Sequence, residues 1–391
     1  MVLRFLRGAP SGGVPEKKAS AAGAVFAFHG AGRPAWSARD VVSLTRSGFV
    51  GNPVGFRCVK MIAEAAAAVP LVLEDSERRF DVHPMLELLS RPNGMQGRGD
   101  LLESFYGQLL LSGDGYLEAA GDEDGAPREL HVLRSDRMRV VPGGDGWPVA
   151  YEYSVGARKH RFDMGGEYAP ILHVKAFHPQ DDHYGLSPMS AAGNAIDVHN
   201  SANKWSKALL DNAARPSGAI VYRGVDGQGT LQSDQYARLV EEIEANHQGA
   251  RNAGRPMLLE GGLDWKPMGF SPSDMEFQKT KESAAREIAL SFGVPPMLIG
   301  MPGDATYANY AEANRAFYRL TVLPLVGKVA SAISNWLPDY YGAVLRLSAD
   351  LDGVPALALE REAQWKRVSE AAFLTDGEKR KMLGLPPVLD A

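Results

Sequence analysis

Two long helical segments bracket a short stretch of different character, and this order limits the fold more than any other feature. The first, "SPMSAAGNAIDVHNSANKWSKALLDNAARPSG", runs from Ser187 to Gly218 and opens on Ser187-Pro188, a capping residue followed by proline at the first helical position. Ile196, Ala202, Trp205, Leu209 and Ala213 fall along one side, with Asn, Ser, Lys and Asp on the other. The spacing predicts a helix of roughly 25 residues, about 38 Å long. The second segment, "SDMEFQKTKESAAREIALSFG", ends at Gly293. Between them "GAIVYRG" reads as a strand, "RPMLLEGGLDWKPMG" as two short strands, and "SDQYARLVEEIEANHQG" as a helix opened by Ser233. The chain runs out along one helix, makes a small α/β unit, and returns along another.

The return helix leads into "FGVPPMLIGMPGDATYANYAEAN", Phe292–Asn314, with three prolines, three glycines and two tyrosines. Connections between elements have a median near ~4–6 residues, and a long ordered one usually carries function. This one is too apolar for disorder. Val294-Pro295-Pro296 is expected to stop the return helix. Gly300, Pro302 and Gly303 shape a turn, and Asp304 or Thr306 caps the next helix. "YANYAEANRAFYRLTVLPLVGKVASAISNWLP" reads as that third long helix, kinked at Pro324. Phe317 and Leu320 are assigned to its core side.

Towards the N-terminus, a short helix is expected near Ser37–Arg46. Asn52 caps a second helix with Pro53 at its first position, and Phe56, Val59, Ile62 and Ala63 recur at helical spacing. A helix is expected from Asp100 to about Leu111, before a Gly-Asp-Gly turn. From 128 to 178 the pattern alternates with period two, in strands separated by glycine turns. The fold class is α+β. Towards the C-terminus a strand lies near "YGAVLRLSAD", a helix at Glu360–Ala372, and a short helix capped by Thr375.

The single Cys58 excludes a disulfide framework and a multi-cysteine zinc site. Net charge is −5, from 42 basic and 47 acidic residues, unlike the basic face of a protein that wraps or reads DNA. No apolar run reaches the ~20 residues that span a bilayer. The N-terminal stretch reads as a flexible arm, since its apolar segment Ala24–Phe28 is too short for a signal peptide.

Chemistry-bearing patterns are sparse. There is no P-loop, HExxH or GxSxG pattern. His173, His178, His183, Asp181 and Asp182 are the best metal candidates, but a strand points His173 and His178 to opposite faces. The pairs Asp122–Asp124 and Asp181–Asp182 sit in turns, where Asp serves turn geometry. Tyr307, Tyr310, Phe317 and Tyr318 could stack on bases, and Lys204, Lys207, Lys279 and Lys281 on the long helices could meet phosphates. The plainer readings are core packing and a solvated helix face. No catalytic set emerges, and no cofactor is expected.

Several blocks nevertheless carry a resemblance: "NPVGFRCVKMIAEAAAAVPLVL", "HPMLELLSRPN", "LLLSGDGYLE", "ILHVKAFHPQDDHYGLSPM", "ARPSGAI", "LLEGGLDWKPMGFSPSD", "IALSFGVPPMLIG" and "ATYANYAEANRAFYRLTVLP". In order and spacing, over about residues 45–340, the chain resembles the portal proteins of long-tailed bacteriophages and of gene transfer agents. Asp114-Gly115 stands where that family commonly has Asn-Ala. The resemblance implies a ring of usually twelve subunits at one capsid vertex. Double-stranded DNA would pass through it without sequence readout, during packaging and ejection. It also implies docking to the terminase large subunit, the head–tail adaptor and the major capsid protein, in a virion or virus-like particle assembled in the bacterial cytoplasm, with no membrane and no catalysis. A head-assembly enzyme (maturation protease or nuclease) and a head–tail adaptor ring are the rival readings.

In the family's terms, the portal-type fold has these parts. A flexible arm at 1–44 precedes an α+β wing at 45–189. Stem helices at 190–215 and 271–292 flank a small α/β clip at 216–270. A tunnel loop at 293–310 leads to a kinked helix returning to the wing at 311–350, and a helical crown spans 351–391. The resemblance then suggests Met301, Asp304, Thr306, Tyr307 and Asn309 as DNA-facing loop residues. It suggests Lys204, Lys207, Lys279 and Lys281 as tunnel lining, and Arg223, Arg251 and Arg255 as clip contacts. Asn200, Ser201, Asn203 and Lys204 would present an interface or tunnel face. DNA carries one charge per ~1.7 Å of axis, so a net-acidic sleeve with few lysines would let it slide.

Overall fold

In the computed structural model the described residues are 40–385, except 77, 122–124, 212–217, 223–232, 248–262, 268–276, 302–306 and 342–343. The chain opens with α1 (Val41–Leu44), capped by Asp40, which runs into a π-helical turn at Thr45–Val50. The short helix expected near Ser37–Arg46 is thus present from Val41, with 37–39 outside the described residues. α2 (Pro53–Ala68) follows, with Asn52 accepting from the Val54 and Gly55 amides and Pro53 in the first turn. Cys58, Val59, Ile62, Ala63, Ala66 and Ala67 form its buried side, whereas Phe56 is 43% exposed and lies against Phe49 in a tilted ring pair instead. β1 (Leu71–Glu74) and β2 (Arg79–Phe80) form a hairpin, and α3 (Pro84–Ser90) is capped by His83.

α4 (Arg98–Ser112) packs against α2 and buries Leu101, Leu102, Phe105, Tyr106 and Leu109. Gly113 ends it in the left-handed region, at φ 87°, a conformation that costs other residues about 1–2 kcal/mol. β3 (Asp114–Ala120) then runs antiparallel between β4 (Glu129–Leu133) and β8 (Ile171–Lys175). The intervening β5 (Met138–Pro142), β6 (Pro148–Val155) and β7 (Arg158–Asp163) form a separate antiparallel meander. Tyr116, Leu133, Met138, Val140, Tyr151, Phe162 and Ile171 make a small core between these sheets. β4 and β5 are separated by a 3-10 turn at Ser135–Arg137 and not by one of the expected glycine turns.

α5 (Pro188–Ala191), capped by Ser187, and α6 (Gly193–Asp211) replace the single long helix expected over 187–218. β9 (Gly218–Tyr222) and β10 (Leu263–Pro267) pair antiparallel, with α7 (Ser233–His247) between them in sequence. Arg223, Arg251, Arg255 and one of the two strands expected over 255–269 lie outside the described residues. α8 (Phe277–Ser291) returns and packs on α6. Its stop is not the proline pair. Gly293 takes φ 67°, and the Gly293 and Val294 amides donate to the Leu290 and Ala289 carbonyls, a glycine termination of Schellman type. The prolines instead start the 3-10 turn Pro296–Ile299.

α9 (Tyr307–Phe317) and α10 (Leu323–Ser334) are joined by a second π-helical turn, Tyr318–Val322. Pro324 has no N–H to give to the preceding turn. The wider turn accommodates this loss, so the helix continues through Pro324 without leaving helical backbone. Phe317 is buried as expected, but Leu320 is 76% exposed. Asn309–Ser334 is also long and apolar enough to cross a membrane, the one such run among the described residues, which corrects the expectation that none exists. Its apolar residues Phe317, Val322, Val326, Val329, Ala330 and Ile333 belong to the main core, and it carries Glu312, Arg315, Arg319 and Lys328.

β11 (Arg346–Ala349) pairs with β1, more than 270 residues earlier in the chain, and α10 packs against it. The N-terminal α+β region is therefore completed by the chain's return. α11 (Ala358–Glu370) and α12 (Asp376–Leu383) pack together at the C-terminal end, α12 opening on a Thr375/Glu378 capping box.

Candidate functional site

α6 and α8 pack together and bury mostly small residues: Ala195, Ile196 and Ala202 on the first, Ala284, Ala285, Ile288 and Ala289 on the second. Small side chains let two helix backbones approach closely. Lys204 and Lys207 on α6, and Lys279 and Lys281 on α8, are exposed. Lys281 also acts inwards: burial first, and its charge second, hold the His199 imidazole below its ordinary value.

Past α8, Gly300 adopts φ 78° and the Met301 amide donates to the Pro296 carbonyl. Met301 is half-buried. Asp304 and Thr306 lie outside the described residues, as do Pro302 and Gly303. Tyr307 is the first residue of α9, with Asn309 exposed and Tyr310 51% exposed beyond it. The structure thus places α8 and α9 on either side of the undescribed 302–306, and it brings Lys204, Lys207, Lys279 and Lys281 onto one packed pair of helices.

His173 does not gather with His178 and His183. Its Nε2 lies 2.9 Å from Asp114 Oδ1, its Nδ1 3.3 Å from the Tyr151 hydroxyl, and its ring stacks on Tyr116 at 4.3 Å. Asp114 Oδ1 also accepts from the Gly185 amide at 2.9 Å. Burial, with the Asp114 charge adding to it, pushes the Tyr151 phenol up to about 12. Tyr116 leaves the one buried side-chain oxygen without a hydrogen bond among the described residues. Asp181 Oδ1 accepts from the His183 and Tyr184 amides, the turn role expected of it. No group of three or more His, Cys, Asp or Glu able to hold a metal occurs among the described residues.

This cluster locks a backbone crossing. A Cβ at Gly185 would lie 2.0 Å from the Gly113 carbonyl oxygen, and one at Gly113 would lie 2.4 Å from the Gly185 oxygen. The Gly-Asp-Gly turn and the "YGLSPM" segment therefore touch through bare backbone, just before α5 and α6 begin.

A second polar node is hidden in the sequence. Asn52 is 1% exposed and His199 2%. The Asn52 amide nitrogen reaches His199 Nδ1 at 3.1 Å and donates to Asn200 Oδ1 at 2.9 Å. Asn200 in turn donates to the Ser47 carbonyl, and the Asn203 amide lies 3.2 Å from His199 Nδ1. Asn200 and Asn203 are therefore turned inwards, not onto an outer face, while Ser201 and Lys204 are exposed. The capping signal at Asn52 is legible, but its partners lie 147 and 148 residues away, beyond any local pattern.

The family model described as "Phage portal protein" matches residues 53–384. Among solved structures, a chain from the neck of an empty gene transfer agent particle, computed with C6 symmetry, is 70% identical. The match covers 92% of this chain and 98% of that one, with a TM-score of 0.74. A chain from the neck of the native particle, computed with C12 symmetry, is 69% identical over 92% and 97% of the two chains, with a TM-score of 0.72. The portal protein of Enterobacteria phage HK97 is 26% identical over 348 residues, 85% of this chain and 78% of that one. The family-model match runs from α2 to the end of α12, and the chain belongs to the phage portal protein family.

Proposed function

We propose that the chain forms the ring-shaped channel at a capsid vertex through which double-stranded DNA is packaged and ejected. The observation that carries this is the 69% identity, over 97% of its length, to a chain in a gene transfer agent neck of C12 symmetry. In this reading α6 and α8 are stem helices, β9–α7–β10 the clip, 293–310 the tunnel loop, and α11–α12 the crown. Lys204, Lys207, Lys279 and Lys281 line the stem. Met301, Asp304, Thr306, Tyr307 and Asn309 approach the duplex, and Arg223, Arg251 and Arg255 meet the terminase large subunit and the head–tail adaptor. The wing contacts the major capsid protein. The role is structural and non-catalytic. Twelve copies close into a ring through head-to-tail contacts, because unlike faces of identical subunits generate rings.

Native mass spectrometry of the purified full chain tests this. The expected species is a closed ring whose mass is twelve times the 42.2 kDa subunit. A chain that stays monomeric across salt and concentration, and that images without a central channel, would overturn the proposal.

A further inference from the structure

We propose that the Asn52–His199 contact is a proton-operated clasp: neutral His199 fastens the start of α2 to α6, and a proton on its ring releases α6. The geometry fixes the hydrogen positions. Asn52 Oδ1 accepts from the Val54 and Gly55 amides, so the Asn52 side chain cannot be reversed. Its other end is the NH2 group, and this group lies 3.1 Å from His199 Nδ1. Nδ1 must therefore accept, and the single ring proton of the neutral form sits on Nε2. The Asn203 amide approaches the same nitrogen at 3.2 Å. Protonation would place an N–H at Nδ1 against the Asn52 NH2 group, which the Val54 and Gly55 amides hold in place, inside a site where both His199 and Asn52 are almost fully buried. A buried donor without an acceptor destabilises strongly.

The surroundings favour this response. Lys281 of α8 is the charge that acts on the ring. Of the other charges on the packed elements, Arg46 lies on the π-helical turn, Arg57, Lys60 and Glu64 on α2, and Lys279, Glu282, Arg286 and Glu287 on α8. On α6 itself, Asp197 stands two residues back, roughly 200° around the helix, Lys204 five residues on, roughly 140° around, and Lys207 and Asp211 lie two or more turns away. Burial and Lys281 both hold His199 below its ordinary value of 6.5. The clasp's contribution is therefore complete above 6.5 and is lost as pH falls from there through the clasped value.

Three elements hang on this contact. Asn200 carries it on to the Ser47 carbonyl in the first π-helical turn. A Cβ at Gly55 would lie 2.1 Å from the Gly48 oxygen, and one at Gly48 would lie 2.3 Å from Met189 Sδ, so α2, the π-helical turn and α5 meet at close range beside the clasp. In the channel reading this is where stem meets wing, and only that meaning rests on the proposed function. The clasp itself stands without it.

Hydrogen exchange of the full chain, read by mass spectrometry from pH 7.5 to 5.0 and corrected for intrinsic rate, tests it. Segments 47–60 and 193–207 should exchange about tenfold faster per pH unit between 6.5 and the clasped value. Segment 101–112, in the α4 core, should not change. His199→Gln, which accepts without titrating, should abolish the acid step. Lys281→Met should move its midpoint upwards. Equal protection of both segments across this range in the unmodified chain would overturn the clasp, as would the same acid step in His199→Gln. If His199→Gln does not fold, an unmoved midpoint in Lys281→Met overturns it. None of these outcomes depends on ring formation, so a failure here leaves the channel reading standing, and the reverse also holds.

Discussion

A chain lacking Met301–Tyr307 should assemble normally and fail to hold DNA. The residues before the cut are secured independently. Phe292 and Val294 are buried, and the Thr321 hydroxyl donates to the Gly293 carbonyl at 2.6 Å. After it, Phe317 anchors the far end of α9 in the core. The deletion removes no fully buried side chain and no strand among the described residues. Of the described residues it takes Met301, which is half-buried, and Tyr307, the first residue of α9, and the cost of rejoining a loop is a weak function of its length. Particles made with the deleted chain should contain the normal amount of this protein. Their nuclease-protected DNA should fall to the level of empty particles. Rings that no longer form would make the segment an assembly element, and unchanged DNA content would remove it from the channel.

The largest folding defect should come from Gly113→Ala. The substitution combines a left-handed backbone, at φ 87°, with a Cβ 2.4 Å from the Gly185 oxygen. The obstacle is backbone, so no rotamer change relieves it. The two effects together cost about 2–5 kcal/mol, enough to lower soluble yield and melting temperature sharply. Asp114 separates the chemistry of the same crossing from its sterics. Asp114→Ala removes the acceptor shared by Gly185 and His173 and should cost about 3 kcal/mol. Asp114→Asn keeps Oδ1 and should cost about 1 kcal/mol or less. A thermal melt in which Asn and Ala behave alike would contradict the assigned role of Oδ1.

Local signals in the sequence reach the elements whose causes are local. The Asn52, Ser187 and Thr375 caps, the period-two strands after residue 128, and the out-and-back helices α6 and α8 are all where such signals put them. The errors have a common origin. Phe56 and Leu320 follow core spacing yet are exposed, because spacing along one helix does not say whether a neighbour covers that side. Asn200 and Asn203 look like solvent residues, but a buried amide and imidazole satisfy them. His173 looks like a ligand until the register of β3 and β8 sets it opposite Tyr116 and beside Asp114. The prolines at 295 and 296 mask the true helix stop at Gly293, and Pro324 signals a kink without its π-helical turn. For the site itself, the lysines of α6 and α8 are legible as exposed positions, while the DNA-facing role proposed for 301–309 rests on resemblance.

The most direct test of the channel account is a reconstruction of the assembled full-length chain. The account predicts a closed ring with a continuous axial opening wide enough for duplex DNA. Residues 301–309 should form its narrowest level, and the β9–α7–β10 unit should lie at one end. A ring whose narrowest level is built from other residues, or a closed particle with no axial opening, would contradict it.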